Sequence, residues 1–405
     1  MKTQPVLFVL VITFACFIFS CKDQKNDWND QLLLKAGQLV EQHPDSALVF
    51  LDSIDTNILS EAQHFDFVLL QVQAKDKADM DITSEIDIFR AVDYFVDKKD
   101  SKKTASAYFY AGKVHQVRAA YQNAMTAYME ALKYAGDKEY HLKGLIQNNI
   151  GHLHYEQMYL NEAADWFRKA YHSYKNEENR PSTYYHNANV LISIGNAQVL
   201  VGVADSALVY YRKALDIART QKDTTLQIWT IQNIGYTYHN LQDYDNAKKE
   251  YLQALKLSRS EHERVMSDIN MVQIHLDENK MDSAFYYKSL LDKDIDNIKD
   301  TATLANTYRL YVEIEDRFGN TQTALNYAKK QIECLENLYE KQITQSVLDV
   351  QKRYDFESLL NDRSKLQIEK RERQNWINIL IALIILFCIV TISFYMTQKM
   401  KIQRK

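Results

Sequence analysis

A chain of 405 residues is longer than a single compact core requires and suits an elongated array. Only 9 Gly and 3 Pro occur against 27 Tyr and 16 Phe, which disfavours a β-rich or loop-rich fold and supplies aromatic packing for helices. Four cysteines make no disulfide framework, and a net charge of −4, with four basic residues crowded into the last seven positions, leaves an acidic body that excludes nucleic acid as a partner of the repeats.

Residues 1–20 read as an export signal. Lys2 is its positive end, and Val6–Phe19 is an apolar run shorter than the roughly 20 residues that a membrane span needs. Ile18-Phe19-Ser20-Cys21 comes next and resembles the lipobox of bacterial lipoproteins, which implies lipidation of Cys21. A signal cut elsewhere, or kept as an anchor, is the other reading, and each version exports the body of the chain. Residues 21–103 hold two hairpins without a clear repeat signature: Trp28–Gln42 with Pro44–Ile54, then Leu59–Asp76 with Thr83–Val96. Pro44 sits where a helix start tolerates proline.

From 104 to 260 one unit returns four times. A glycine on a first helix is followed 12, 16 and 19 residues later by alanine, an aromatic and alanine. The sets are Gly112, Ala124, Tyr128 and Ala131; Gly151, Ala163, Phe167 and Ala170; Gly195, Ala207, Tyr211 and Ala214; and Gly235, Ala247, Tyr251 and Ala254. Glycine and alanine let two antiparallel helices approach closely, and the aromatic is expected to fill the gap to the neighbouring hairpin. One hairpin cannot cover its own apolar face, so copies stack. Residues 261–334 hold two degenerate copies, with Ala284 and Ala324 at the alanine position and Val272 and Val312 replacing the glycine.

These offsets resemble the tetratricopeptide repeat. The phrases PDSALVFLDSI and LLQVQAKDKA resemble the N-terminal hairpins of membrane-anchored tetratricopeptide-repeat proteins of some Gram-negative bacteria. The resemblance implies an all-α fold, an α-solenoid of about eight helical hairpins whose first helices line a groove for a protein or peptide. Positions flanking the glycine point into such a groove: Tyr110, Lys113, Asn149, His152, Tyr155, Asn196, Asn233, Tyr236 and His239. Asparagine amides can bond a peptide backbone and aromatics supply stacking area. The competing reading gives Asn149, Asn196 and Asn233 to the repeat's own helix packing.

Residues 335–373 read as one long polar juxtamembrane helix. Ile343, Val347, Val350 and Tyr354 form a short coiled-coil seam, which fits a homodimer or a solvated spacer equally well. Residues 374–398 carry no charge and are predicted to span the membrane once, with Trp376 and Tyr395 as interfacial aromatics. The basic tail 399–405 places the C-terminus in the cytoplasm and the repeats in the periplasm of a bacterial inner membrane.

Catalytic, cofactor and metal signatures are absent from the sequence. No G-x-G occurs, and Met266 stands where a zinc-protease motif begun by His262-Glu263 needs its second histidine. Asp292, Asp294 and Asp296 open like a calcium loop, but Asn297 and Thr303 replace the glycine and the glutamate, so a solvated acidic loop is expected. The expected protein is a non-enzymatic interaction module, anchored in the membrane and sensing a signal through a separate effector. The alternatives are an envelope scaffold without signalling, or a shortened relative of a transmembrane transcriptional regulator.

Overall fold

The computed structural model describes residues 28–177, 183–340, 365, 368–369, 371–381 and 383. The predicted signal, Cys21, the seam 343–354, most of the predicted span and the basic tail lie outside the described residues. The chain divides into two units, residues 1–342 and 343–405.

The first unit is a run of helices. They are α1 (28–39), α2 (Pro44–Asp52), α3 (Glu61–Lys77), α4 (Asp87–Lys98), α5 (Ser101–Val117), α6 (Tyr121–Tyr134), α7 (Tyr140–Glu156) and α8 (Leu160–Lys175). There follow α9 (Thr183–Val201), α10 (Ala204–Thr220), α11 (Thr224–Asn240), α12 (Tyr244–Leu257), α13 (Glu261–Asp277), α14 (Met281–Asp294), α15 (Thr301–Arg317) and α16 (321–340). Consecutive helices pair, and contacts that skip one helix join first helices to each other: α3 to α5, α9 to α11, α11 to α13 and α13 to α15. That is the connectivity of a solenoid, in which each hairpin leans only on its neighbours.

Local chemistry starts many of these helices. At α3, Ser60 and Gln63 form a capping box, each side chain accepting from the other's backbone N–H. Asp100, Asp223, Asp243, Ser260 and Asp300 cap α5, α11, α12, α13 and α15. The turns inside the hairpins share one geometry. Ala119, Met158, Gly202, Gln242, Asn279 and Gly319 all have positive φ, and each lies seven residues after its copy's glycine or valine. The next residue donates its N–H back to the carbonyl five earlier, as Ala120 does to His115 and Tyr159 to His154, both at 2.9 Å. This is a Schellman-type stop, which satisfies carbonyls at the end of the first helix.

The aromatic of each copy lies against the glycine of its own hairpin, and Phe167, Tyr211 and Tyr251 also share core clusters with buried residues of the next one. A Cβ on Gly112 would stand 2.4 Å from the Tyr128 ring, one on Gly151 2.6 Å from Phe167, one on Gly195 2.5 Å from Tyr211 and one on Gly235 2.7 Å from Tyr251. The ring therefore occupies the space where a side chain would be. Ala124, Ala163, Ala207 and Ala247 are fully buried beside them. A fifth pair occupies the same antiparallel register two turns further along α7 and α8: Gly144 faces Tyr174, whose ring stands 2.4 Å from a built Cβ.

In the degenerate copy of α13 and α14 the pair is replaced on both sides. Val272 takes the glycine's place and Lys288 the aromatic's. Lys288 is only 4% exposed. Its Nζ lies 4.4 Å from the Tyr311 ring centroid, 5.3 Å from Tyr327 and 5.7 Å from Phe285, with Asp292 at 3.1 Å and Glu315 at 3.6 Å. The acidic run beside it is not a solvated loop. Asp292 pairs with Lys288, and Asp294 is buried at the helix end, 3.6 Å from Arg264.

Of the second unit, residues 371–381 are helical, and Trp376, Ile377, Ile379, Leu380, Ile381 and Leu383 are exposed. Among the described residues no helix is long and apolar enough to cross a membrane.

Candidate functional site

The nine residues expected in a groove lie on α5, α7, α9 and α11, and the structure treats them differently. Tyr110 is 3% exposed, so it belongs to the core and offers nothing to a ligand. Lys113 is held by Asp76 of α3 at 3.1 Å. His152 lies edge-on to Phe167, with ring centroids 5.0 Å apart, and burial, with Lys113 nearby, lowers its pKa. Asn149 turns back on its own helix and donates to the Leu145 carbonyl at 2.8 Å. Asn196 accepts the Tyr211 hydroxyl at 2.7 Å. Asn149 and Asn196 thus serve the fold. Tyr155, whose hydroxyl burial pushes upward in pKa, and Asn233 are half-buried. His239 bonds to Asp277 of α13 through Nε2 at 2.7 Å.

Further contacts fill the face of the early first helices. Glu41, just past the end of α1, pairs with Lys77 at 3.0 Å and accepts from Gln73 at 2.8 Å. It also stands 3.8 Å from His141 Nε2 at the start of α7, while Glu177 lies 3.0 Å from Nδ1 of the same ring. The first hairpin thereby reaches the fourth across the first helices of the second and third. A residue from a partner would have to displace these ion pairs.

The later first helices are also joined by polar contacts, His239 to Asp277 among them, but they keep exposed apolar side chains. Tyr236 is 49% exposed, and two turns before it on α11 is Trp229, also 49% exposed. Residues seven apart share a helix face. Met266 holds on α13 the position that Trp229 holds on α11, six residues before Val272 and Gly235 respectively, and it is 43% exposed. Because α9, α11 and α13 touch in succession, these side chains share one surface, with Leu200 exposed on α9. Trp229 and Met266 escape a search confined to the glycine's neighbours. The signal that finds them is the seven-residue step back from Tyr236.

This surface can bury apolar and aromatic area and offers the Trp229 indole and Tyr236 hydroxyl as polar handles. Among the described residues no cluster of three or more His, Cys, Asp or Glu can hold a metal.

The tetratricopeptide repeat family matches residues 230–261, which take in the end of α11 and all of α12. Those residues are a tetratricopeptide repeat. The fold of the whole array is like that of solved repeat proteins. The apo form of RapI superposes with a TM-score of 0.58 at 12% identity, covering 77% of this chain and 98% of that one. The apo form of the quorum sensor NprR from B. thuringiensis gives 0.50 at 17% identity, covering 82% and 98%. A curated relative, outer dynein arm-docking complex subunit 4 of Xenopus laevis, is 24% identical over 192 residues. That stretch is 46% of this chain and 36% of the relative, so the chain matches only about a third of the relative's length. At these identities the likeness shows the fold, an all-α solenoid of tetratricopeptide-like hairpins.

Proposed function

We propose that this chain is a non-enzymatic interaction protein that binds a protein or an extended peptide on the open first-helix surface of α9, α11 and α13. The observation that carries the reading is the pair Trp229 and Tyr236, half exposed, seven residues apart on one face of α11, with Tyr236 inside the matched repeat and Trp229 just before it. Exposed aromatics in such a cluster are characteristic of binding surfaces. A quorum sensor among the structures of similar fold supports a sensing role for this architecture.

The finer reading adds place. The apolar, uncharged stretch 374–398 anchors the protein once in a bacterial inner membrane, with the repeats in the periplasm, the tail in the cytoplasm and Cys21 as a lipid site. Binding is relayed to a separate effector. A photoreactive residue at Tyr236, irradiated in intact membranes, should crosslink to another polypeptide. Crosslinks confined to the chain itself would refute the surface. A reporter active only in the periplasm, fused after Lys405, should be silent; activity would refute the orientation. Recovery of envelope components alone with the crosslinked partner would favour a scaffold over a sensor.

A further inference from the structure

A cavity of about 350 Å³ opens between α4 and α6, with α5 as its floor. Its walls are apolar: Phe89 and Val92 come from α4, Ala111 from α5 and Ala127 from α6. The two alanines are buried, and their small side chains leave the space unfilled. The two ends of the cavity differ. Nearer the turn between α5 and α6, the Phe89 and His115 rings lie 4.6 Å apart, and Asn123 lines the same end. Further from the turn, Tyr108 of α5 meets Asp93 of α4 and Glu130 of α6. Seven residues separate Tyr108 from His115, so the ends are roughly 10 Å apart along the helix.

Charge says what the cavity accepts. The Tyr108 end is electronegative: burial first, then Tyr134, Glu130 and Asp93, hold the Tyr108 hydroxyl above its usual pKa, opposed by Lys133. Burial, and then Asp97, raise Asp93 as well. Among the described residues no cation pairs with Asp93. Glu130 has Lys133 at 2.5 Å, one turn along its own helix and largely exposed, and a surface pair of that kind holds its partner weakly. The opposite end is neutral, because burial, and Arg118 after it, lower the His115 pKa to about 4. We propose that this cavity binds an organic cation of about lysine side-chain length, its ammonium or guanidinium group between Asp93 and Glu130 beside the Tyr108 ring. Its apolar body lies along Val92, Ala111 and Ala127, where burial of carbon adds to the charge attraction. An anion would meet carboxylates with no cation to receive it. The site takes no residue from the surface of α9, α11 and α13 and stands independently of the reading given for that surface.

The test is calorimetric titration of the full chain in detergent with two probes. Phenethylamine stands for a free amine, and N-acetyl-lysine methylamide for the basic side chain of a polypeptide. At least one should bind saturably, with a Kd below about 10 mM. Saturation by phenethylamine alone assigns the site to a small amine, and saturation by the lysine derivative, alone or as well, assigns it to a basic side chain of a partner. The neutral counterparts phenylethanol and N-acetyl-norleucine methylamide keep the apolar body and lack the charge, and each should bind at least about tenfold more weakly than its amine. Asp93→Asn should weaken amine binding at least about tenfold, while Asp205→Asn, exposed in the first turn of α10, should change it less than about twofold. An unchanged circular dichroism melting curve establishes that the Asp93→Asn protein is folded, and the comparison of charged with neutral probes needs no variant. No saturable binding of either amine, equal binding of the neutral counterparts, or equal losses from Asp93→Asn and Asp205→Asn would each overturn the inference.

Discussion

Single residues set the helix spacing in this protein, and the interior of α7 and α8 shows how. A methyl group on Gly151 would stand 2.6 Å from two atoms of the Phe167 ring, well inside van der Waals contact. Alanine is favoured over glycine in a helix by about 1 kcal/mol. Overpacking typically costs about 1–3 kcal/mol. Phe167 is fully buried among core residues and has little room to retreat, so the clash should win. Gly151→Ala is expected to destabilise by about 1–2 kcal/mol in chemical denaturation. In a Phe167→Ala background the same change should instead stabilise, because the obstacle is gone and only the helix preference remains. A cost that persists without the ring would show that the glycine serves some other contact. A second residue stores a charge penalty. Asp268 is 1% exposed, and neither carboxylate oxygen has a hydrogen-bond partner. Burial, abetted by Asp294 and opposed by Arg264, pushes its pKa up to about 6, from an ordinary 3.8. A carboxyl with a raised folded pKa binds more protons folded than unfolded. Its contribution is therefore fully present below about pH 4 and is lost as pH rises towards and through about 6. Asp268→Asn should remove that slope and gain on the order of 1–3 kcal/mol relative to wild type at about pH 7.5. An equal difference between the two proteins at acid and neutral pH would dismiss the carboxylate as the cause.

At the scale of the hairpin, the turn is as regular as the packing, though the sequence hides it. The six positive-φ positions seven residues after each glycine or valine are occupied by Ala, Met, Gly, Gln, Asn and Gly. A left-handed backbone costs an ordinary L-residue about 1–2 kcal/mol, whereas glycine adopts it freely. Met158→Gly should therefore stabilise α7 and α8 by roughly 0.5–1 kcal/mol, since the Met158 side chain is exposed and little packing is lost. A neutral or destabilising result in thermal denaturation would mean that Met158 makes contacts that outweigh its backbone strain. The degenerate hairpin shows the opposite trade. With Lys288 in the ring position, burial works against the charge, but Asp292, with Tyr327 and Glu315, more than offsets it and holds the ammonium above its usual pKa. Lys288→Met should cost about 3 kcal/mol, because Glu315, itself buried, loses its cation. Adding Glu315→Gln should recover part of that loss. The repeat spacing makes the glycine, alanine and aromatic positions readable from residue types alone, because sterics demand small residues there. The partner of the aromatic is not readable in the same way, since offsets along a chain do not say across which contact a ring lies. Gly144 with Tyr174 escapes notice because it adds a second pair to one hairpin, outside the fourfold pattern.

Across the whole array, the binding surface is legible only in part, and the reason is competition from within. Flanking the glycine is enough to reach the first-helix face, but not to remain free on it. On α5 and α7 that face is occupied by the chain's own charges: Asp76 on Lys113, and Glu41 with Glu177 on His141. These pairs link helices far apart in sequence, and no local pattern announces them. On α11 and α13 the corresponding face carries one such pair, His239 with Asp277, and beside it Trp229, Tyr236 and Met266 are exposed. Two surfaces of equal register in the repeat therefore differ in what a partner must displace. Partly buried charges with good partners resist separation, because any cation or carboxylate left behind is unpaired. An open aromatic patch requires only the removal of water. Partner binding should accordingly map to one half of the array. A photoreactive residue at Trp229 or Tyr236 should capture the partner, and one at Asn149 should capture little. Trp229→Ala and Tyr236→Ala together should weaken binding at least about tenfold, the effect of losing one central anchor, while Lys113→Ala should change it less than about twofold. Strong capture at Asn149, or a larger loss from Lys113→Ala than from the aromatic pair, would mean that the ion pairs open on binding and that the partner enters through the N-terminal half.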